Sequence, residues 1–244
     1  MVLLHDVWVM LATSSLPLGL VACTEALKDS NRLSAASARK FLHIVTGLAF
    51  MLTWPLYSDD PSARYLAAAL PGAMALRFLL AGLGVTHEAR LVAGTARTGQ
   101  RQELLAGPML YGLAHVALTL VAWRSSPASA AGLAALCAGD GAADVGGRLW
   151  AARMGGQAGR LPHNTAKTWA GSCCCLAAAF VSSLAYLCLF NSLGYYQQRW
   201  SVARLAQASL LSSWAAAALE SLPGLQDNLV MPAGAGLAAL LLVR

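Results

Sequence analysis

Gly-Asp-Gly-Ala-Ala-Asp-Val-Gly-Gly-Arg at 139 to 148, a polar loop, and Lys-Thr-Trp-Ala-Gly-Ser at 167 to 172 lead into an apolar run over 169–190. A bilayer crossing takes about 20 apolar residues, so that run is long enough for a membrane span. Two acids, an arginine and a lysine pressed against such segments are expensive beside a bilayer, and they read first as a working site. The glycines around them point toward phosphate chemistry.

Outward from this stretch, further apolar runs occur at 7–22, 41–57, 65–85, 108–123, 128–143, 202–219 and 229–243. With 57% hydrophobic residues, 11% charged residues and a mean hydropathy of +0.56, too little polar surface remains for a soluble globule. The expected fold is all-α, a polytopic transmembrane helical bundle of eight segments. Seven result if 128–143, rich in Ala and Gly and ending near an acid, dips in and returns under cover of other helices. The shorter runs either tilt in from interfacial flanks or cross incompletely. No internal repeat or Pro-rich linker divides the sequence, so residues 1–244 are read as one integral membrane domain. Residues 1–6 have neither a basic n-region nor an Arg- and Ser-rich leader; any targeting segment is expected to lie outside this sequence.

Charge placement predicts sidedness. The first connection carries Lys28, Arg32, Arg39 and Lys40, the third Arg90, Arg97 and Arg101, and the fifth Arg148, Arg153, Arg160 and Lys167. The opposite side has Arg64, Arg124, Arg199 and Arg244, with Arg77 and Arg204 inside spans. By the positive-inside rule, the odd connections face the cytoplasm or stroma. The net charge of +6 is therefore explained by orientation and anionic partners, and no nucleic acid is implied. Cys23, Cys137, Cys173, Cys174, Cys175 and Cys188 lie in or at the ends of spans and read as small packing residues, without disulfide or metal-ligand spacing.

If the chain is helical from Asp140, then Asp140, Asp144 and Arg148 recur at steps of four along one face. Two carboxylates one turn apart suit Mg²⁺ (or Mn²⁺), which takes one or two protein carboxylates and completes its shell with water and phosphate oxygens. Arg148 would reach the same phosphates. Gly139 and Gly141 let backbone N–H groups approach an anion; Gly146 and Gly147 do the same or simply let helices pack closely. The competing reading is helix packing, with Asp144 and Arg148 as a surface pair.

Lys167 opens the next span, where an ammonium can neutralise phosphate as a point charge and Thr168 and Ser172 offer hydroxyls. P-loop spacing is absent, so a Walker-type NTPase is not supported. Arg39 and His43, with Lys40 between them, share a helix face toward the same anion or toward lipid headgroups. Glu220 and Asp227 are acids in an inward loop without a base, suited to a second ion or to orienting the nucleotide. His163 and Asn164 are placed to touch a ribose or base. His87, Glu88, Arg90 and Arg101 read mostly as solvated charges, and His115 as a packed residue.

Arg-Lys-Phe-Leu-His at 39 to 43, the string at 139 to 148, Leu-Pro-His-Asn-Thr-Ala-Lys-Thr-Trp-Ala-Gly-Ser at 161 to 172, and Glu-Ser-Leu-Pro with Asp-Asn-Leu-Val-Met-Pro at 220 to 232 resemble the polyprenol kinases. Within that family they look most like the phytol kinases of plants and algae. The resemblance implies transfer of the terminal phosphate of CTP, or UTP, to the hydroxyl of phytol or a related isoprenoid alcohol, giving a lipid phosphate for tocopherol synthesis in a plastid membrane. Asp140, Asp144, Arg148 and Lys167 then form the catalytic set. The nucleotide- and phosphate-binding set is Gly139, Gly141, Arg39, Lys40, His43, Thr168, Gly171, Ser172 and Asn228. Asp140 and Asp144, with Glu220 and Asp227 as further candidates, are the metal ligands. Gln226 stands where the family usually has a first acid before the Asn, which puts the loop's metal role in doubt more than the central site.

Farnesol or dolichol are alternative acceptors. A membrane cytidylyltransferase or CDP-alcohol phosphotransferase also combines aspartates, glycines and cytidine nucleotides, and would release pyrophosphate or CMP where a kinase releases CDP. A small transporter or scaffold binding membrane lipids would consume no nucleotide and tolerate loss of Asp140.

Overall fold

A computed structural model describes residues 2–30, 34–155 and 159–243. Arg32, Arg244 and the side chain of Lys28, all counted in the charge pattern, lie outside the described residues. The described chain is helical apart from one short hairpin, and it divides into two compact units, Met1–Val121 and Ala122–Arg244. Each is taken by itself below.

Unit 1 contains α1 (Val2–Asp29), α2 (Ala35–Thr53), a 3-10 turn at Trp54–Leu56, α3 (Ala63–Leu83), α4 (Ala89–Thr95), α5 (Glu103–Ala106) and α6 (Pro108–Val121). In α1, Leu3, Leu4, Trp8 and Leu11 are exposed, while Thr13, Ser14 and Thr24 donate to carbonyls of their own helix. This suits a helix bathed in lipid, because its few hydroxyls find partners without water. Asp6 is the exception: it is fully buried and accepts from the backbone N–H (2.8 Å) and hydroxyl (2.6 Å) of Ser58. Gly112 lets α6 close on α3, since a Cβ there would sit 3.0 Å from the Ala75 methyl and 3.2 Å from the Pro71 carbonyl.

Unit 2 begins with α7 (Pro127–Ala134), which passes without a break through a π-helical turn (Ala135–Asp140) into α8 (Gly141–Arg153). A hairpin of β1 (Arg160–Leu161) and β2 (Asn164–Thr168) follows, then α9 (Trp169–Ser192), α10 (Val202–Ser221) and α11 (Asp227–Leu240). Ser126 caps α7 through its hydroxyl and Pro127 takes the first turn, where its missing N–H costs nothing. Every residue of α7 is buried. One cluster of the core is made of small side chains, Ala135, Ala143, Cys175, Ala179, Ala216, Ala217 and Ala235, with Met231 as the large filler. Helices meet here by close backbone approach.

Among the described residues, four stretches are long and apolar enough to cross a membrane: Val2–Thr24, Ala63–Leu83, Glu103–Val121 and Trp169–Ser192. They match four of the eight expected segments. The others form helices of a different character. Helix α2 carries Arg39, Lys40 and His43 in its first half, α10 buries Ser209, Ser212 and Ser213, and the 14 residues of α11 reach only about 21 Å. The run 128–143 does not dip and return; it continues as helix to Arg153, packed on α9 and α11. The polar loop before Lys167 folds into the hairpin, which alternation did not reveal in so short a segment.

Packing this close gives a direct expectation. A Cβ at Gly236 would lie 2.9 Å from the Ala128 carbonyl, a backbone atom that cannot yield, whereas one at Gly94 meets nothing within 4 Å. Gly236→Val should lower stability by about 1–3 kcal/mol, read as thermal unfolding in detergent, and Gly94→Ala should leave it unchanged or slightly raised.

Candidate active site

The π turn and α8, strand β2, and helices α10 and α11 carry the charged residues of the candidate site. Asp140 closes the π turn, and helical backbone from there sets Asp144 and Arg148 at successive turns of α8. The Arg148 guanidinium donates from Nε (3.1 Å) and Nη2 (2.9 Å) to one oxygen of Asp144, with both side chains partly exposed. The spacing expected for this face is therefore present, together with a π turn that no residue pattern announced. Such turns widen a helix locally and are frequent at functional sites.

Lys167, at the end of β2, reaches across to two other helices. Its ammonium donates to Glu220 at the end of α10 (2.6 Å) and to Asp227 at the start of α11 (2.8 Å). Glu220 is only 2% exposed. The Ser172 hydroxyl, one turn into α9, also faces Glu220 at 3.5 Å. Burial works against the Lys167 charge, but hydrogen bonds to Asp227 and Glu220, together with their charges, outweigh it and hold its pKa above the ordinary 10.5.

Both groups lie around one side chain: the Cys175 thiol of α9 is beside Gly139, the neighbour of Asp140, and the charges of Asp140, Glu220, Lys167 and Asp227 all act on it. Four carboxylates thus stand against two cations, Lys167 and Arg148. A cluster with this formal excess of negative charge favours a divalent cation over an anion arriving alone.

Among the described residues, no three His, Cys, Asp or Glu side chains gather closely enough to ligate one ion by themselves. Magnesium does not require that: it usually keeps several waters and takes one or two carboxylates plus substrate phosphates. Hard carboxylate oxygens from Asp140 and Asp144, one turn apart, fit that chemistry. Glu220 and Asp227 hold Lys167 here instead of standing open as a second cation site.

Other residues named from sequence are engaged in positioning. Thr168 is buried, and its hydroxyl accepts from the Gly171 N–H (3.0 Å) as the cap of α9. A Cβ at Gly171 would lie 2.9 Å from the Ala143 carbonyl, so this glycine brings α9 onto α8. Gly139 faces Ala179 and Cys175, Gly146 faces Cys174, and Gly147 faces the Thr168 hydroxyl; all three serve the same contact. Gly141 is buried at the first position of α8, and Asn228 follows Asp227 in the first turn of α11. His163 and Asn164, expected near a ribose or base, bind Ser221: the Asn164 amide donates to its carbonyl (3.0 Å) and His163 meets its hydroxyl (3.2 Å). They pin the hairpin to the end of α10 and so carry Lys167 to Glu220.

Arg39, Lys40 and His43 lie on α2 in unit 1. Lys40 is buried, and the His43 ring stacks on Tyr111 at 4.2 Å while the Tyr111 hydroxyl donates to the His43 carbonyl (2.6 Å). Tyr111 also stacks on His115 at 4.4 Å, the packed histidine expected from its apolar surroundings.

The sign of the Lys167 shift fixes a pH dependence. A raised folded-state pKa contributes stability that is whole below about 10.5 and disappears as pH climbs through the higher folded value. Wild-type protein minus Lys167→Met should therefore show a constant difference in unfolding temperature from about pH 7 to 9.5, shrinking only at more alkaline pH.

No family model matches the chain, and no solved structure matches it. Curated proteins do. Phytol kinase 1, chloroplastic, of Arabidopsis thaliana is 36% identical over 244 residues, covering 98% of this chain and 77% of that protein. Probable phytol kinase 2, chloroplastic, of Oryza sativa subsp. japonica is 38% identical over 233 residues, covering 94% and 74%. Farnesol kinase, chloroplastic, of Arabidopsis thaliana is 40% identical over 207 residues, covering 84% and 64%. Similarity of this strength over nearly the whole sequence means that the chain belongs to the phytol kinase family of polyprenol kinases.

Proposed function

We propose that this protein is a phytol kinase of a plastid membrane, transferring the terminal phosphate of CTP, or of UTP, to the hydroxyl of phytol for tocopherol synthesis. The observation that carries the reading is the meeting of Lys167, Glu220 and Asp227 in the unit that also carries Asp140, in a chain whose relatives are named phytol and farnesol kinases. The bundle crosses the membrane eight times, or seven, with α2, α7 to α8, α10 and α11 completing the four long apolar spans.

In the reaction, the alcohol oxygen forms a bond to the terminal phosphorus, the bond from that phosphorus to the departing CDP breaks, and the alcohol proton goes to a carboxylate. Such a transfer needs mainly alignment and neutralisation of charge on the moving group. Asp144 is the better candidate for binding Mg²⁺, and Asp140, one turn earlier on the same helix, is the other carboxylate of that face for the proton. When bound, the ion supplies positive charge to the phosphate oxygens. Arg148, 40% exposed, is free to swing from Asp144 to a phosphate. Lys167 contributes its charge at the mouth of α9, and the buried Thr168 cap and Asn164 hold it there.

The test is to supply membranes containing the chain with phytol, farnesol or dolichol and labelled CTP, UTP or ATP. Phytyl phosphate with CDP is the expected product pair. Release of pyrophosphate or CMP, or no nucleotide consumption with any acceptor, overturns the kinase reading. Faster turnover of farnesol would shift the assignment to the shorter alcohol, a reading favoured by the farnesol kinase relative.

A further inference from the structure

Lys167, Glu220 and Asp227 form a triad that closes a loop. Glu220 is the last residue but one of α10 and Asp227 the first of α11, and both bind the same ammonium. Between them runs Ser-Leu-Pro-Gly-Leu-Gln at 221 to 226, which carries no charge. Gly224 turns this loop with a left-handed backbone (φ +75°). At one end Asn164 and His163 hold Ser221; at the other the Gln226 carbonyl accepts from the N–H groups of Leu229 (2.9 Å) and Val230 (3.0 Å). A loop fixed at both ends loses less entropy when a ligand settles on it.

Each member of the triad has a large, exposed apolar side chain two residues away. Leu222 follows Glu220, Leu225 precedes Asp227 and Trp169 follows Lys167, with 43%, 43% and 56% of their surface exposed. Two residues of chain reach at most about 7 Å, so all three side chains start close to the charges. Pro223, between the two leucines, is exposed as well. An exposed apolar surface bordered by polar groups marks contact with an apolar partner.

The chemistry of the two substrates decides which one meets this rim. A nucleotide brings phosphates and a polar sugar, which leucine does not bind. An isoprenoid alcohol brings a hydroxyl for the charged cluster and, directly beside it, branched hydrocarbon for the leucines and the indole.

We infer that Leu222, Leu225 and Trp169 form the acceptor subsite, taking the first isoprene unit of the alcohol while its hydroxyl lies among the charges and the rest of its chain stays in lipid. This deepens the reading of the site as an isoprenoid alcohol kinase and rests on it. The carbons gripped are those next to the hydroxyl, which phytol and farnesol have in common, so the rim recognises the reacting end and leaves chain length unmeasured.

The test compares farnesol with 3-methylbut-2-en-1-ol, a water-soluble alcohol of one isoprene unit, as acceptors for the purified full chain in detergent. Leu222→Ala combined with Leu225→Ala should raise KM for both alcohols about tenfold, and Trp169→Ala several-fold, with kcat and the nucleotide KM little changed. Leu225→Met, which keeps an apolar side chain, should stay near wild type, and an unchanged unfolding temperature checks the fold of each variant. An unaltered KM for the small alcohol means that the rim only seats in the detergent, and an equal rise in the nucleotide KM means that it shapes the whole site; either result overturns the subsite. Should wild-type protein phosphorylate no alcohol, the kinase reading itself fails, and binding then judges the rim separately. A farnesol analogue with a photoactivatable diazirine in its first isoprene unit should label Leu222, Leu225 or Trp169 and be displaced by farnesol; labelling confined to other residues overturns the inference.

Discussion

Lys167→Met is expected to remove phosphorylation of the acceptor alcohol by roughly 10²–10³-fold and to lower stability by about 3 kcal/mol. The stability loss arises because the ammonium is the hydrogen-bonding cation between Glu220, almost fully buried, and Asp227. Removing it leaves the buried Glu220 carboxylate without this cation and close to the charge of Asp227. A second change, Glu220→Gln, removes one of those charges and should restore much of the unfolding temperature. It should not restore turnover, because the positive charge at the mouth of α9 is still missing. Unfolding in detergent and lipid-phosphate yield, measured on the same preparations, separate the two effects. Full activity in Lys167→Met protein would remove the lysine from the mechanism.

Asp144→Asn should act in the opposite proportion: turnover falls roughly 10²–10³-fold while stability scarcely changes. Its bond to Arg148 is a partly exposed i,i+4 pair, a type that contributes about 0.3–0.5 kcal/mol. Initial rates at saturating CTP, followed across a magnesium titration, should show a higher metal requirement as well as the lower plateau. A variant that unfolds early, or one that keeps both plateau and metal requirement, argues that Asp144 serves only to hold Arg148.

The helices were legible wherever apolar length carried the signal. Residues 169–190, read as a span, form most of α9, and 202–219 and 229–243 correspond closely to α10 and α11. The face formed by Asp140, Asp144 and Arg148 was legible because four-residue spacing needs only local helix. The lysine triad was not, since Lys167 lies 53 residues from Glu220 and 60 from Asp227, and only the packing of α9, α10 and α11 joins them. Glu220 and Asp227 stand out in the sequence as acids in a loop without a base, which is the trace that a distant partner leaves. The glycines divided less clearly: Gly139, Gly146, Gly147 and Gly171 suit an anion cradle or a helix contact equally on paper, and the contact with α9 is what their missing side chains permit. The π turn has no residue signature.

The alanine and glycine interior of unit 2 has one further implication. Where α9 meets α8 and α11 meets α7 the backbones approach too closely for a hydrocarbon tail to pass, so we expect the isoprenoid's chain to lie outside those contacts, among lipid acyl groups. An enzyme arranged this way grips its acceptor by the hydroxyl end and measures the remainder only loosely. Acceptors differing by five or more carbons should then compete mainly through how they partition into the bilayer, and not through a ruler inside the protein.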